Sequence, residues 1–141
     1  MSFSACLNFS GNCREAAYFY AKSFGQEQPK IMTYGEAPSN GEEIAEADKN
    51  LVMYCSLSVF GGNIMMMDCT SDFPLVSGNN ISLVLELPDE KAVKGVFDTL
   101  KDGGIVMMDL QKTFWSDLFG TLTDKFGIVW QIGVGNNAWQ M

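Results

Sequence analysis

The chain contains no histidine. Ser-His-Asp and Cys-His catalysis, imidazole metal sites and the commonest neutral-pH acid–base are therefore unavailable. Its four cysteines, Cys6, Cys13, Cys55 and Cys69, form no Cys-x-x-Cys pair. They read as free buried or half-buried thiols, because a nucleophilic thiolate without an imidazole needs another activator. Glu86 and Asp124 are candidate bases, but no two carboxylates have a spacing that points to glycosidase-like work. Arg14, the only arginine, sits where a surface or interface ion pair is expected. Phe114, Trp115, Phe119, Phe126 and Trp130 cluster late in the chain; such rings either pack a core or wall an apolar ligand pocket. Trp115, held in a loop, is the strongest pocket candidate. Met53, Met65, Met66, Met67, Met107 and Met108 lie in strand-like runs. Alternation puts Met66 on one strand face and Met65 with Met67 on the other, so only one set can face a ligand.

The elements that position these residues follow from pattern. Phe3 to Phe9 has strand length, and Asn12 with Glu15 has the form of a capping box, predicting a helix from Cys13 to a stop at Gly25. Ala16, Phe19, Tyr20, Ser23 and Phe24 form its apolar face. Lys30 to Tyr34 reads as a strand, and Gly35 to Asn50, with Pro38, Gly41, Glu42, Glu43, Glu46 and Asp48, as an acidic, turn-rich loop. Leu51 to Phe60 and Asn63 to Asp68 read as a hairpin turning at Gly61-Gly62. After the polar stretch Thr70 to Asn80, Ile81 to Leu87 is strand-like. Asp89 to Asp102 is helical, with Val93, Val96, Phe97 and Leu100 on one face. Ile105 to Leu110, Leu118 to Thr123 and Ile128 to Val134 are strands.

Each half is thus β-α-β-β-β. Leu7, Phe9, Phe19 and Gly25 fall 78 positions before Leu85, Leu87, Phe97 and Gly103, and Gly62 falls 65 before Gly127. Shared element order makes duplication the better account of these matches.

At 141 residues, with 47% hydrophobic and 18% charged residues, the composition is that of one folded domain. A net charge of −8 argues against nucleic acid and anionic membranes as partners. The N-terminal residues lack the basic start and apolar run of a signal peptide, and no apolar run has membrane-spanning length, so a cytoplasmic location is expected.

Leu7-Asn8-Phe9, Gly11-Asn12-Cys13-Arg14-Glu15-Ala16, Phe19-Tyr20, Phe24-Gly25 and Met32-Thr33-Tyr34-Gly35 resemble the PhnB-like family. So do Thr113-Phe114-Trp115, Phe119-Gly120, Leu122-Thr123-Asp124-Lys125-Phe126-Gly127 and Trp130. That family lies within the vicinal oxygen chelate superfamily of glyoxalases, bleomycin-resistance proteins and dioxygenases. The resemblance covers nearly the whole chain. It implies an α+β fold of two βαβββ modules, residues 1–70 and 80–141 joined by 71–79, forming a cupped mixed sheet with a ligand crevice, usually in a homodimer.

In the superfamily's metalloenzymes, each module supplies one ligand from its first strand and one from its last. Carried over singly, these positions are Ser4 and Ser82 on the first strands, Gln131 on the last strand of the second module, and Met66 on that of the first, with Met65 as the fallback. Two serines, a thioether and an amide suit no divalent cation, so neither metal nor other cofactor is expected. The implied pocket residues are Ser4, Tyr34, Met66, Ser82, Phe114, Trp115 and Gln131. The resulting expectation is a metal-free binder of a partly apolar small molecule, the alternative being a metal-independent lyase, isomerase or related enzyme. Relatives of this kind have carried the label of a ubiquinone-pathway methyltransferase, but the sequence has no glycine-rich cofactor loop after its first strand.

Overall fold

The structure, a computed structural model, describes residues 1–37 and 43–135. Pro38, Gly41 and Glu42 of the acidic stretch lie outside the described residues. The chain divides into two compact units, Met1–Val76 and Ser77–Met141. The first runs β1 (Ala5–Phe9), α1 (Cys13–Ser23), β2 (Met32–Thr33), β3 (Val52–Val59) and β4 (Gly62–Asp68). Its strands lie in the order β1-β4-β3-β2, with β1 parallel to β4 and the other neighbours antiparallel. The second runs β5 (Ser82–Leu87), α2 (Glu90–Leu100), β6 (Ile105–Gln111), β7 (Phe119–Thr123) and β8 (Val129–Val134). Its order is β5-β8-β7-β6, with β5 parallel to β8. Each unit is a βαβββ module of α+β class.

Alternation along the strands builds one apolar face per sheet, and each helix covers it. Leu7, Phe9, Cys55, Leu57 and Met66 are buried with Ala16 and Tyr20 of α1, which lies on β3 and β4. Leu85, Leu87, Leu122 and Ile132 are buried with Val93, Phe97 and Leu100 of α2, which lies on β5, β7 and β8. Each large apolar side chain so buried contributes about 1.5–3 kcal/mol against an exposed one. The buried face of α2 is the one its spacing predicts. That of α1 includes Ala16, Tyr20, Ser23 and Phe24 as expected, takes in Cys13, Ala17 and Ala21 as well, and leaves Phe19 only half-buried. Small residues there let the helix approach the sheet closely.

Three local expectations are corrected. First, β1 begins at Ala5, where its pairing with β4 starts opposite Ile64, and Phe3 is fully exposed. The strand expected from Lys30 to Tyr34 likewise shrinks to the two residues that pair with β3.

Second, the hairpin turns at Phe60-Gly61. Val59 pairs with Gly62, and the two residues between them have φ of 44° and 87°. Two positive φ values give the type I′ turn, whose twist matches that of the strands. Phe60 tolerates this conformation with its ring edge-on to Phe24, centroids 5.8 Å apart.

Third, no capping box forms at α1. Asn12 Oδ1 instead accepts from the Ser10 N–H at 3.3 Å, and the side chain makes no cap bond. The cap comes from the end of β4. Asp68, only 2% exposed, accepts from the N–H groups of Gly11 (2.8 Å) and Cys13 (3.0 Å) through Oδ1, and from that of Val52 (3.0 Å) through Oδ2. One carboxylate thus ties the start of the helix to two strands. In the second unit the work is divided. Asp89 caps α2 by accepting from the Ala92 N–H at 2.8 Å. Buried Asp124 accepts from the N–H groups of Phe126 and Ile128 and from Trp130 Nε1 at 2.8 Å.

Candidate functional site

Strand pairing fixes which residues of the two units are equivalent. Leu7 pairs with Met66, and its counterpart Leu85 pairs with Ile132. Met66 therefore corresponds to Ile132, an offset of 66, and the matching turn glycines are Gly61 (φ 87°) and Gly127 (φ 90°), not Gly62 and Gly127. This one-residue slip exchanges the two strand faces. The expected pocket residue Met66 is consequently a fully buried core side chain facing α1's side of the sheet. The counterpart of Gln131 is half-buried Met65, because Cys6 pairs with Met65 as Val84 pairs with Gln131.

On the face of the second sheet away from α2, Gln131 Nε2 donates to Ser82 Oγ at 2.8 Å, joining two of the expected residues across β5 and β8. Gln131 also lines a cavity of about 320 Å³ with Val84, Glu86, Trp115, Phe119 and Gly133. The volume lies at the lower end of the range for small-molecule sites. Backbone chemistry opens it. A Cβ on Gly133 would come within 2.8 Å of Phe119 Cδ2 and 3.2 Å of Ser116 Oγ, so any larger residue there would collide with the wall.

Buried Ser116 fastens the far side, its hydroxyl hydrogen directed at the carbonyls of Leu118 (2.9 Å) and Val134 (3.1 Å) while Oγ accepts from the Val134 N–H. Trp115 meets Phe119 edge-on with centroids 5.3 Å apart, and Phe114 meets Trp115 likewise at 4.7 Å. Phe114 itself is 95% exposed and does not line the cavity. Trp130, bonded to Asp124, belongs to the core. Glu86, a candidate base by residue type, faces away from the core, as its alternation with buried Leu85 and Leu87 requires.

Tyr34 belongs to a different cavity, of about 410 Å³, in the first unit, with Asn8, Met67, Cys69, Phe73 and Leu75 among its walls. Its hydroxyl donates to the Asp68 carbonyl at 2.9 Å. Burial, then the neighbouring Cys69 and Asp68, pushes the phenol proton above its ordinary range. Half-buried Ser4 lines neither cavity.

Cys13 and Cys55 are both fully buried and share a thiol hydrogen bond. That bond, then burial, then the nearby Cys55 and Asp68 push the Cys13 thiol far above its usual range. Cys6 is exposed, not buried as expected, because it lies on the strand face away from α1. Partial burial of its thiol and the nearby Cys55 and Cys69 also push it up. The raised Cys13 and Cys6 thiols are poor nucleophiles, and Cys55, which the hydrogen bond with Cys13 holds below its ordinary range, is fully buried.

Two βαβββ modules, each closing its sheet by a parallel pairing of first and last strands, define the glyoxalase-like fold class. The 3-demethylubiquinone-9 3-methyltransferase family matches residues 1–133, and the chain belongs to this PhnB-like family. Protein YjdN of Escherichia coli (strain K12) is 32% identical over 141 residues, covering 95% of each chain. The crystal structure of protein PA1353 from Pseudomonas aeruginosa is 30% identical with a TM-score of 0.85, covering 95% of this chain and 97% of that one. The PhnB protein of Bacillus cereus is 25% identical with a TM-score of 0.75, covering 96% and 100%.

The four positions that the resemblance assigns to metal ligands do not fit a divalent cation here. With the corrected register they hold Ser4 and Met65 in the first unit and Ser82 and Gln131 in the second, all neutral, and the Gln131 amide already donates to Ser82. Among the described residues, no group of three or more Cys, Asp or Glu side chains could hold a metal ion. Hydroxyl, thioether and amide donors offer no charge to offset the dehydration of such an ion. Also among the described residues, no helix is long and apolar enough to cross a membrane.

Proposed function

We propose that this protein is a metal-free small-molecule binder. Its second module holds a partly apolar ligand against Trp115 and Phe119, with Gln131, held in turn by Ser82, fixing the polar end. The carrying observation is the Gln131–Ser82 hydrogen bond beside the aromatic cavity, at strand positions where relatives with metal chemistry place ligands. We further infer a cytoplasmic homodimer.

The family's methyltransferase description is not the reading favoured here. The turn after β1 directs its Gly11 and Cys13 N–H groups at Asp68, and the turn after β5 is capped by Asp89. Neither offers the open glycine-rich cradle of a dinucleotide-type fold.

The second reading, a metal-independent lyase or isomerase, draws support from Glu86 lining the same cavity as Gln131, where a carboxylate could move a proton beside an amide that orients a carbonyl.

Native mass spectrometry of the untagged protein, purified without chelator, tests the proposal. A dimer mass without metal, carrying a co-purified small molecule, is expected; a stoichiometric divalent metal contradicts it. Turnover of the identified molecule that disappears in Gln131→Ala while its affinity persists would favour the enzyme.

A further inference from the structure

Among the described residues, Glu86 is the only charged side chain lining the second-module cavity. Its room is reserved by the backbone: a Cβ on Gly135 would stand 3.1 Å from Glu86 Cβ and 3.5 Å from its Oε2. Of the other polar groups, two reinforce its sign, and the exception, the Trp115 indole N–H, is buried. Ser116 directs its hydroxyl hydrogen at backbone carbonyls, and Gln131 directs its amide nitrogen at Ser82, which leaves the amide oxygen as a further acceptor. No lysine or arginine lines the cavity, and the chain carries a net charge of −8. An anionic ligand would meet a carboxylate and acceptors there; a cationic one would find both, together with aromatic rings whose faces attract cations.

We propose that this cavity selects a small organic cation, an ammonium group seated by Glu86 with an apolar or aromatic body against Trp115 and Phe119. The inference rests on the reading of the cavity as a small-molecule site and adds the chemical class of its ligand. The cavity's volume, about 320 Å³, limits that ligand to a compact body of one ring or a short branched chain.

Isothermal titration of the full chain with three near-isosteric probes tests this: 2-phenylethylammonium, 2-phenylethanol and 3-phenylpropanoate. The ammonium is expected to bind roughly fivefold more tightly than the alcohol, with the carboxylate weakest. Glu86→Gln should bring the ammonium-to-alcohol ratio close to one, and Gly133→Met should abolish binding of all three by filling the cavity. Alcohol or carboxylate binding as tightly as the ammonium, or a preference that survives Glu86→Gln, overturns the cation class and leaves the binding site standing. Failure of all three probes to bind at millimolar concentration overturns the binding reading and this inference with it.

Discussion

Asn8 and Met67 in the first module stand where Glu86 and Gly133 stand in the second, since each pair is joined across the parallel strands that close its sheet. Both pairs border a cavity, but the cavities are built differently. In the first module the described walls carry no charge and part of them comes from the segment Phe73 to Val76, whose end residues are 75% and 89% exposed. In the second, strand residues that include buried Phe119 form the walls together with Trp115 and buried Ser116 of the loop before β7, a glycine makes the space and a carboxylate sets the sign. Side chains on packed strands hold a ligand geometry more closely than side chains on an exposed segment. Two repeats of one scaffold thus differ at two positions on adjacent strands, a carboxylate and a glycine in the second module against an amide and a thioether in the first.

The modules also differ in how they are stitched, and the largest predicted effect lies there. Asp68→Ala strands three backbone N–H groups at once and should destabilise the protein by about 3–5 kcal/mol in urea unfolding. Asp89→Ala, which removes a single helix cap, should cost about 1 kcal/mol. Equal losses would mean that the first module does not depend on one shared carboxylate.

Gly133→Met gives the second module the residue its counterpart carries. Overpacking against Phe119 and Ser116 should cost about 1–3 kcal/mol of stability and remove probe binding by titration. Ser82→Ala deletes the partner of Gln131 and should cost about 0.5–1.5 kcal/mol, with weaker probe affinity from a loosened amide. The smallest effect belongs to the hairpin. Phe60→Asn suits the positive φ at that position and forgoes the contact with Phe24, for a net gain of about 0.5 kcal/mol in thermal unfolding.

Local pattern made much of this legible. Asp89 announces α2, and the spacing of Val93, Val96, Phe97 and Leu100 identifies its buried face. Element order revealed the repeat and hence the module fold. What failed was set at long range. Asp68 caps a helix 55 residues before it in the chain, so Asn12 and Glu15 offered a false local answer. The adjacent glycines at 61 and 62 left the hairpin turn open to two placements one residue apart, and only the pairing of Val59 with Gly62 decides between them. That slip moved the site assignment from Met65 to Met66. In the second module no such ambiguity arises: the resemblance points to Gln131 and Ser82, which are hydrogen-bonded to each other, and the loop position points to Trp115, which lines a cavity with Gln131, whereas the contributions of Gly133 and Ser116 depend on three-dimensional packing.

The most direct test of the asymmetry between the modules is an amide chemical-shift map of the ¹⁵N-labelled protein titrated with 2-phenylethylammonium. The account predicts perturbations centred on Val84, Glu86, Trp115, Gln131 and Gly133. Shifts centred on Asn8, Tyr34, Met67 and Cys69, or none at saturating probe, would contradict it.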